Sequence, residues 1–267
     1  LYHLERARAM ADFAQQRGCP LSGRLFEVGT GRTLNIPIGF WLVGVDEVVT
    51  TDLHRYLRAE IMRADLAYMR EHEEQMRGLF GGYATFEERW QQVRACQTLQ
   101  DVVDRLPIRY VAPYRSEKSN GFDGEFDFHV SCNVLEHVPS EQLGNIFRQA
   151  RGLVGGKGKL LHFVDLSDHF AHSDSRLSPL HFLGLSDPEW KRLAGNPFMY
   201  QSRNRVTDYR SILDECGFKV TADRIELHRE TLEGLTRGEI RTAPRFVNDA
   251  PESVAAVRYD FIAANAG

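Results

Sequence analysis

Glu27-Val28-Gly29-Thr30-Gly31 follows a short apolar run, Leu25-Phe26, and precedes a helix-like segment from Thr33 to Leu42. An acidic residue and two closely spaced glycines at a strand-to-helix turn make a cradle suited to a nucleotide or nucleoside. Glycine lets backbone approach a ligand where a Cβ would clash. The helix that follows directs its N–H groups and the positive end of its dipole at the same place. E-x-G-x-G is unspecific by itself, so its meaning rests on the segments around it.

Upstream, Leu4, Ala7, Ala11 and Ala14 fall at helical spacing, and the predicted helix from Leu1 to Arg17 is ended by Gly18 and Pro20. Downstream, strands are predicted over Arg24–Val28, Glu47–Thr51, Ile108–Ala112, Phe126–Cys132, Lys159–Val164, Phe218–Leu227 and Val254–Ala264. Between them, long charged helices are expected over Leu53–Met76 and Phe86–Leu106, separated by a break at Gly78–Tyr83, and shorter helices over Ser140–Leu153 and Thr207–Cys216. Ser116–Gly124 reads as a polar turn, and Asp165–Asn204 as a long irregular stretch. Strands alternating with helices imply a mostly parallel, doubly wound α/β sheet covered on both faces.

Composition narrows the classes. The chain has 267 residues, 42% of them hydrophobic, which suits one globular domain with insertions. A net charge of -4 and a pI near 6.2 argue against a general nucleic-acid binder. Four scattered cysteines without a C-x-x-C pair point to a reducing, cytoplasmic setting rather than a disulfide framework. No apolar run approaches the roughly 20 residues of a membrane span. The first residue is Leu1 rather than Met, which reads as part of a longer protein, and the charged N-terminus does not read as a signal peptide.

Asp52 lies 21 residues after Gly31, just past an apolar strand. In doubly wound sheets an acid at this distance accepts hydrogen bonds from ribose hydroxyls. A helix N-cap for the segment beginning at Leu53 is the competing role. A further stretch runs Phe126-Asp127-Phe128-His129-Val130-Ser131-Cys132-Asn133-Val134-Leu135-Glu136-His137-Val138. Here the chain resembles the class I S-adenosylmethionine-dependent methyltransferases. That family has a strand reading F-D-apolar-apolar followed by L-E-H-apolar, matched by Phe126-Asp127 and by Leu135-Glu136-His137-Val138. Glu27-x-Gly29-x-Gly31 resembles its first motif and Asp52 its second. Leu153-Val154-Gly155-Gly156 resembles its turn into strand five, with Val in place of Pro, and Cys216-Gly217-Phe218 its entry to strand six. The resemblance covers roughly Leu21 to Val220.

The resemblance implies a Rossmann-like seven-stranded sheet with the last strand antiparallel. It also implies a single methyltransferase domain over 1–267, with a helical insertion at about 54–106 and a lid or substrate insertion at about 165–205. It assigns the methionine part of S-adenosyl-L-methionine to Glu27, Gly29, Thr30 and Gly31, with Glu27 answering the α-amino group directly or through water. The ribose falls to Asp52, and the floor beneath the methyl-bearing sulfur to Ser131, Cys132 and Asn133, with His137 beside them. Two departures matter. The third glycine of G-x-G-x-x-G is replaced by Leu34, which disfavours an NAD-dependent oxidoreductase. No acid follows strand three to meet the adenine amino group, which leaves Tyr114 as the residue to stack on or border that ring. That missing acid keeps open a non-catalytic nucleoside-binding module of the same fold.

Asp165-Leu166-Ser167-Asp168-His169-Phe170-Ala171-His172 follows the fifth strand. Ligands of such sheets bind at the carboxyl ends of the strands, and removal of a hydroxyl proton suits histidine near neutral pH. His169, His137 and Asp168 are therefore the catalytic candidates, with His172 and His181 nearby. Asp165, Asp168, His169 and Asp174 have donor atoms suited to Mg or Mn, but no spacing is diagnostic and no metal is assigned. Arg203, Asn204 and Arg205 suit a carboxylate, phosphate or sugar hydroxyls. The expected reaction is methyl transfer to an O or N atom of a small-molecule or glycan acceptor, of a sugar, polysaccharide or secondary-metabolite branch. The charged helical insertion is read as a solvated pair first and as a substrate wall or homodimer surface second.

Overall fold

Leu25 and Phe26 are fully buried, and an apolar strand without alternation belongs where both faces of a sheet are covered. The computed structural model describes residues 1–116, 122, 126–195 and 200–266. In it, β1 (Arg24–Val28) pairs in parallel with β2 (Glu47–Thr51), and β2 with β3 (Ile108–Val111). β1 also pairs in parallel with β4 (Phe128–Cys132). The seven-stranded sheet has the order β3-β2-β1-β4-β5-β7-β6, where β5 is Lys159–Asp165, β6 Phe218–Leu227 and β7 Ala256–Asn265. β7 runs antiparallel to β6, with register shifts at Val220/Ala222 and Glu226/Leu227. The doubly wound sheet with an antiparallel last strand is thus the observed fold. The expected turn at 116–124, apart from Ser116 and Phe122, lies outside the described residues, as does Phe198.

The chain divides into two compact units, one of Leu1–Ser131 with Gln149–Leu161, the other of Cys132–Arg148 with His162–Gly267. The first contains α1 (Tyr2–Gln15), α2 (Asn35–Val43), α3 (Ala59–Glu71), α4 (Glu73–Phe80), α5 (Phe86–Ala95) and α6 (Leu99–Arg105). Its β1–β2 register puts Val28 opposite Thr51, so Gly29 and Asp52 are the first residues beyond two flush strand ends. α2 is buried on nearly every side, and α1 approaches it closely. A Cβ added at Gly39 would stand 2.5 Å from that of Ala7.

The charged insertion departs from the expected pair of long helices. Residues 53–58 are not helical, and the first helix is broken at His72 (φ -113°, ψ 43°) into α3 and α4. α4 then continues through Gly78, because Met76 and Phe80 beside it are fully buried and hold the turn. The second is interrupted at Cys96, and α6 starts afresh on Thr98. Asp101 N–H donates to Thr98 Oγ1 at 3.1 Å, and Thr98 N–H to Asp101 Oδ2 at 2.9 Å. A cap of this kind contributes about 1 kcal/mol.

The second unit holds most of α7 (Ser140–Val154), then α8 (Asp187–Ala194), α9 (Val206–Glu215), α10 (Arg229–Thr236) and α11 (Pro251–Val254). The expected irregular stretch is ordered by a core of its own. Leu180, Phe182, Leu183 and Trp190 pack with Ala243, Phe246 and Val254. Arg205, fully buried, donates to the carbonyls of Leu166 (2.8 Å), Ala256 (3.2 Å), Val254 (3.4 Å) and Asn204 (3.1 Å).

Candidate functional site

In the first unit the glycine turn is folded back on β2. Gly29 and Thr30 donate their N–H groups to the Thr51 carbonyl at 2.8 and 3.0 Å, and Gly31 donates to Asp52 Oδ2 at 2.9 Å. Gly29 and Gly31 adopt φ of 91° and 73°, which favours residues without a Cβ. A Cβ at Gly31 would meet no atom within 4 Å, so the turn faces open space there. No helix begins at Leu53, so Asp52 is not a helix cap. It accepts backbone N–H groups from Gly31, Leu53 and His54, while burial outweighs them and raises its pKa.

Beneath the turn Glu27 is almost wholly buried. Thr50 Oγ1 donates to its Oε2 at 2.5 Å, the Thr30 and Thr50 hydroxyls are 2.6 Å apart, and Thr51 Oγ1 donates to the Glu27 carbonyl at 2.8 Å. Burial pushes the Glu27 carboxyl up to about 8, against the pull of the Thr50 hydrogen bond, with the nearby Asp52 adding to the rise. Glu27 thus holds its proton near neutral pH. Thr50 was not singled out from the sequence, although a polar Thr50-Thr51 pair in an apolar strand, in register with Glu27, is a legible signal. Tyr114 donates its N–H to the Asp52 carbonyl at 2.8 Å. Its ring lies in an apolar cluster with Phe26, Val49, Phe122, Phe126 and Leu153, 5.4 Å from the Phe26 ring centre. Ser131 is buried at the end of this unit.

The second unit begins at Cys132 and Asn133. Asn133 adopts φ 53° and donates its N–H to the Phe163 carbonyl at 2.8 Å. His137 follows on a short 3-10 turn, Leu135–His137. Its Nδ1 lies 2.9 Å from the Tyr200 carbonyl oxygen. A carbonyl only accepts, so Nδ1 carries the proton and Nε2 keeps a lone pair. His137 is partly open to solvent, yet burial lowers its pKa, with His169 adding to the effect and the Tyr200 bond opposing it.

His169 and His172 sit three residues apart on the 3-10 turn His169–His172, where side chains at i and i+3 eclipse. Their rings stack at 4.9 Å, and His169 contacts His137 edge-on at 4.9 Å. Asp165, at the end of β5, is 3.7 Å from His169 Nε2 and 3.8 Å from His172 Nε2. Its pKa is lowered despite burial, through the adjacent His169 imidazole and hydrogen bonds from Ser167. Gln201, buried, takes the His169 N–H on Oε1 at 3.2 Å and donates Nε2 to the Ser167 carbonyl at 2.5 Å. Asp168 is fully buried. It caps the turn by accepting the Phe170 N–H at 2.9 Å, with His181 Nδ1 at 3.5 Å. Asp174 is bound to Arg176 at the surface, away from this group.

Of the residues expected to suit an anion or sugar, Arg203 and Asn204 border a cavity and Arg205 is enclosed. Arg203 donates to the Phe182 and Leu185 carbonyls and pairs with Asp187, and Arg205 is enclosed among backbone carbonyls. That cavity, of about 320 Å³, is lined by Arg203 and Asn204 with Trp190, Tyr200, Gln201 and Arg245, among others. It shares Tyr200 and Gln201 with the histidine cluster.

Solved structures share this fold. Geranyl diphosphate methyltransferase, in complex with S-adenosylmethionine, is similar with a TM-score of 0.51 and 11% identity over 97% of this chain and 85% of its own. The 1,6-didemethyltoxoflavin-N1-methyltransferase of Burkholderia thailandensis, with bound 1,6-didemethyltoxoflavin and S-adenosylhomocysteine, gives 0.50 and 12% over 99% and 79%. No protein-family model and no curated protein matches the sequence. At these identities the likeness is one of fold: the Rossmann-like seven-stranded sheet found in methyltransferases.

Proposed function

We propose that the protein is an S-adenosylmethionine-dependent methyltransferase acting on an oxygen or nitrogen of a small-molecule or glycan acceptor. One observation carries the reading: the turn after β1 and the acid after β2, tied by Gly31 N–H to Asp52, sit in a sheet whose antiparallel seventh strand lies between β5 and β6. Dinucleotide dehydrogenases use a 3-2-1-4-5-6 parallel order and three glycines, and this chain has neither. The open face at Gly31 and the acceptor-only Asp52 carboxylate fit a nucleoside with ribose hydroxyl donors. In this reading 1–267 is one methyltransferase domain.

S-adenosylmethionine, when bound, supplies an electrophilic methyl group on a sulfonium. Asp52 would hold the ribose, Gly29, Thr30 and Gly31 the methionine end, and Glu27 would answer the α-amino group from beneath. Tyr114 would border the adenine, and Ser131, Cys132, Asn133 and His137 would line the floor. In the second unit the acceptor would enter the cavity lined by Trp190 and Tyr200. His137 Nε2, its lone pair fixed by the Nδ1–H bond to Tyr200 and its protonation opposed by burial of the ring, would take the acceptor's proton. His169 would stand as the second base, and Asp168, through its cap on the turn, would position it. Orientation of the acceptor against the methyl supplies most of the acceleration in such displacements.

Thermal stabilisation by S-adenosylhomocysteine, compared with NAD, tests the reading. Stabilisation by NAD alone would sink it. Binding of S-adenosylhomocysteine without methyl transfer to any hydroxyl- or amine-bearing acceptor would favour the non-catalytic module.

A further inference from the structure

We infer that Asp165, His169 and His172 form a binding site for a first-row divalent cation, with Zn2+ the best fit. The ligand atoms of these three side chains all lie within 4.8 Å of one another. Asp165 Oδ2 is 3.7 Å from one imidazole Nε2 and 3.8 Å from the other. Metal–ligand bonds of about 2.1 Å in a tetrahedron place ligand atoms about 3.4 Å apart. Small side-chain rotations therefore bring the three onto one ion, with the fourth position open to water or to an acceptor oxygen. Two imidazoles and one carboxylate suit Zn2+ or its first-row neighbours rather than Mg2+ or Ca2+, which favour oxygen donors.

The donors are held in place before any ion arrives. The His169–His172 turn is capped by Asp168, and Gln201 fixes His169 from its N–H. Ser167 donates both its hydroxyl (2.6 Å) and its N–H (2.9 Å) to Asp165 Oδ1, leaving Oδ2 toward the histidines. Because the Ser167 proton is on Asp165, the 2.9 Å contact with His172 Nε2 has the imidazole donating. Coordination requires that proton to leave Nε2, so binding weakens as the imidazoles protonate.

A second group, Glu136, His137 and His169, likewise has its ligand atoms within 4.8 Å of one another and shares His169. The assignment to Asp165 and His172 rests on the two near-equal oxygen–nitrogen separations, and it stands whether or not the protein transfers methyl groups; with the ion bound, His169 Nε2 is a ligand and His137 alone serves as base. The test titrates Zn2+ into metal-stripped protein by calorimetry, with elemental analysis after gel filtration and circular dichroism to verify folding. One equivalent is expected, with affinity falling below about pH 6. Asp165→Asn and His172→Ala, still folded, are each expected to weaken binding by about tenfold or more. No stoichiometric Zn2+, or binding unchanged in both variants, overturns the site. So does loss of the ion in His137→Ala with retention in His172→Ala. Failure of the methyltransferase reading shows separately, as absence of stabilisation by S-adenosylhomocysteine in chelator.

Discussion

The turn from Glu27 to Asp52 and the stretch from Asp165 to Arg205 are built on opposite plans. The turn is a backbone device. Two strands end flush, two glycines accept positive φ, and three N–H groups are satisfied by Thr51 and Asp52. The later stretch is a side-chain device. A buried arginine ties four carbonyls, a buried glutamine joins two segments, and three histidines come within ring contact. A backbone device depends on local spacing, so sequence reveals it, whereas a side-chain device depends on which residues meet in space.

If that contrast is right, the largest effect on stability belongs to the side-chain device. Arg205→Met is expected to cost about 3 kcal/mol or more in denaturant unfolding, because several buried carbonyls lose their donor at once. A loss under about 1 kcal/mol would mean that the apolar core around Trp190 orders the stretch by itself. His137→Ala is next, with turnover expected to fall about 100-fold and cofactor affinity to change much less. In the native protein the acid limb of the rate profile should have its midpoint below the ordinary histidine value, since burial lowers the His137 pKa and the neutral ring would be the base. A midpoint above it would remove His137 from the proton transfer.

Asp52→Ala tests the backbone device. The dissociation constant for S-adenosylhomocysteine should rise tenfold or more, in line with charge-assisted hydrogen bonds of about 1.5–3 kcal/mol. An unchanged constant would leave Asp52 as an acceptor for Gly31, Leu53 and His54 only. Gly31→Ala should cost about 1 kcal/mol, because φ is 73° but a Cβ has room. The smallest effect is that of Glu27→Gln at about pH 4, where folded and unfolded chains both hold the proton. The folded pKa of about 8 lies above the ordinary glutamate value of about 4.5. As pH rises between these values the unfolded chain releases a proton that the fold retains, so the native protein loses stability and the Gln variant does not. Equal pH dependence of the two melting curves would show that Glu27 is ionised in place.

Much of the sheet was legible because strands carry their own signals. β1, β2 and β6 match their expected limits, and the others differ only at their ends. Of the helix breaks in the insertion, the one before Phe86 was legible and those at His72 and Cys96 were not. His72 carries no breaking signal, and Thr98 with Asp101 competes with a continuous helical pattern that only the packing of Met76, Phe80 and Val102 resolves. At the site, Asp52 and the glycines were readable from spacing alone. The partners of Glu27 and His137 were not, because Thr50 is on another strand and the Tyr200 carbonyl is 63 residues from its histidine.

The sequence by itself determined the alternation of strands and helices, the glycine turn, and the acid 21 residues beyond it, since each follows from periodicity or from the φ that a residue tolerates. Only the tertiary structure decided that Arg205 is enclosed among backbone carbonyls, that His137 keeps its Nε2 lone pair, and that Asp165, His169 and His172 converge. Those outcomes depend on burial and on hydrogen bonds between distant segments, which fix charge, tautomer and distance only after the chain has folded.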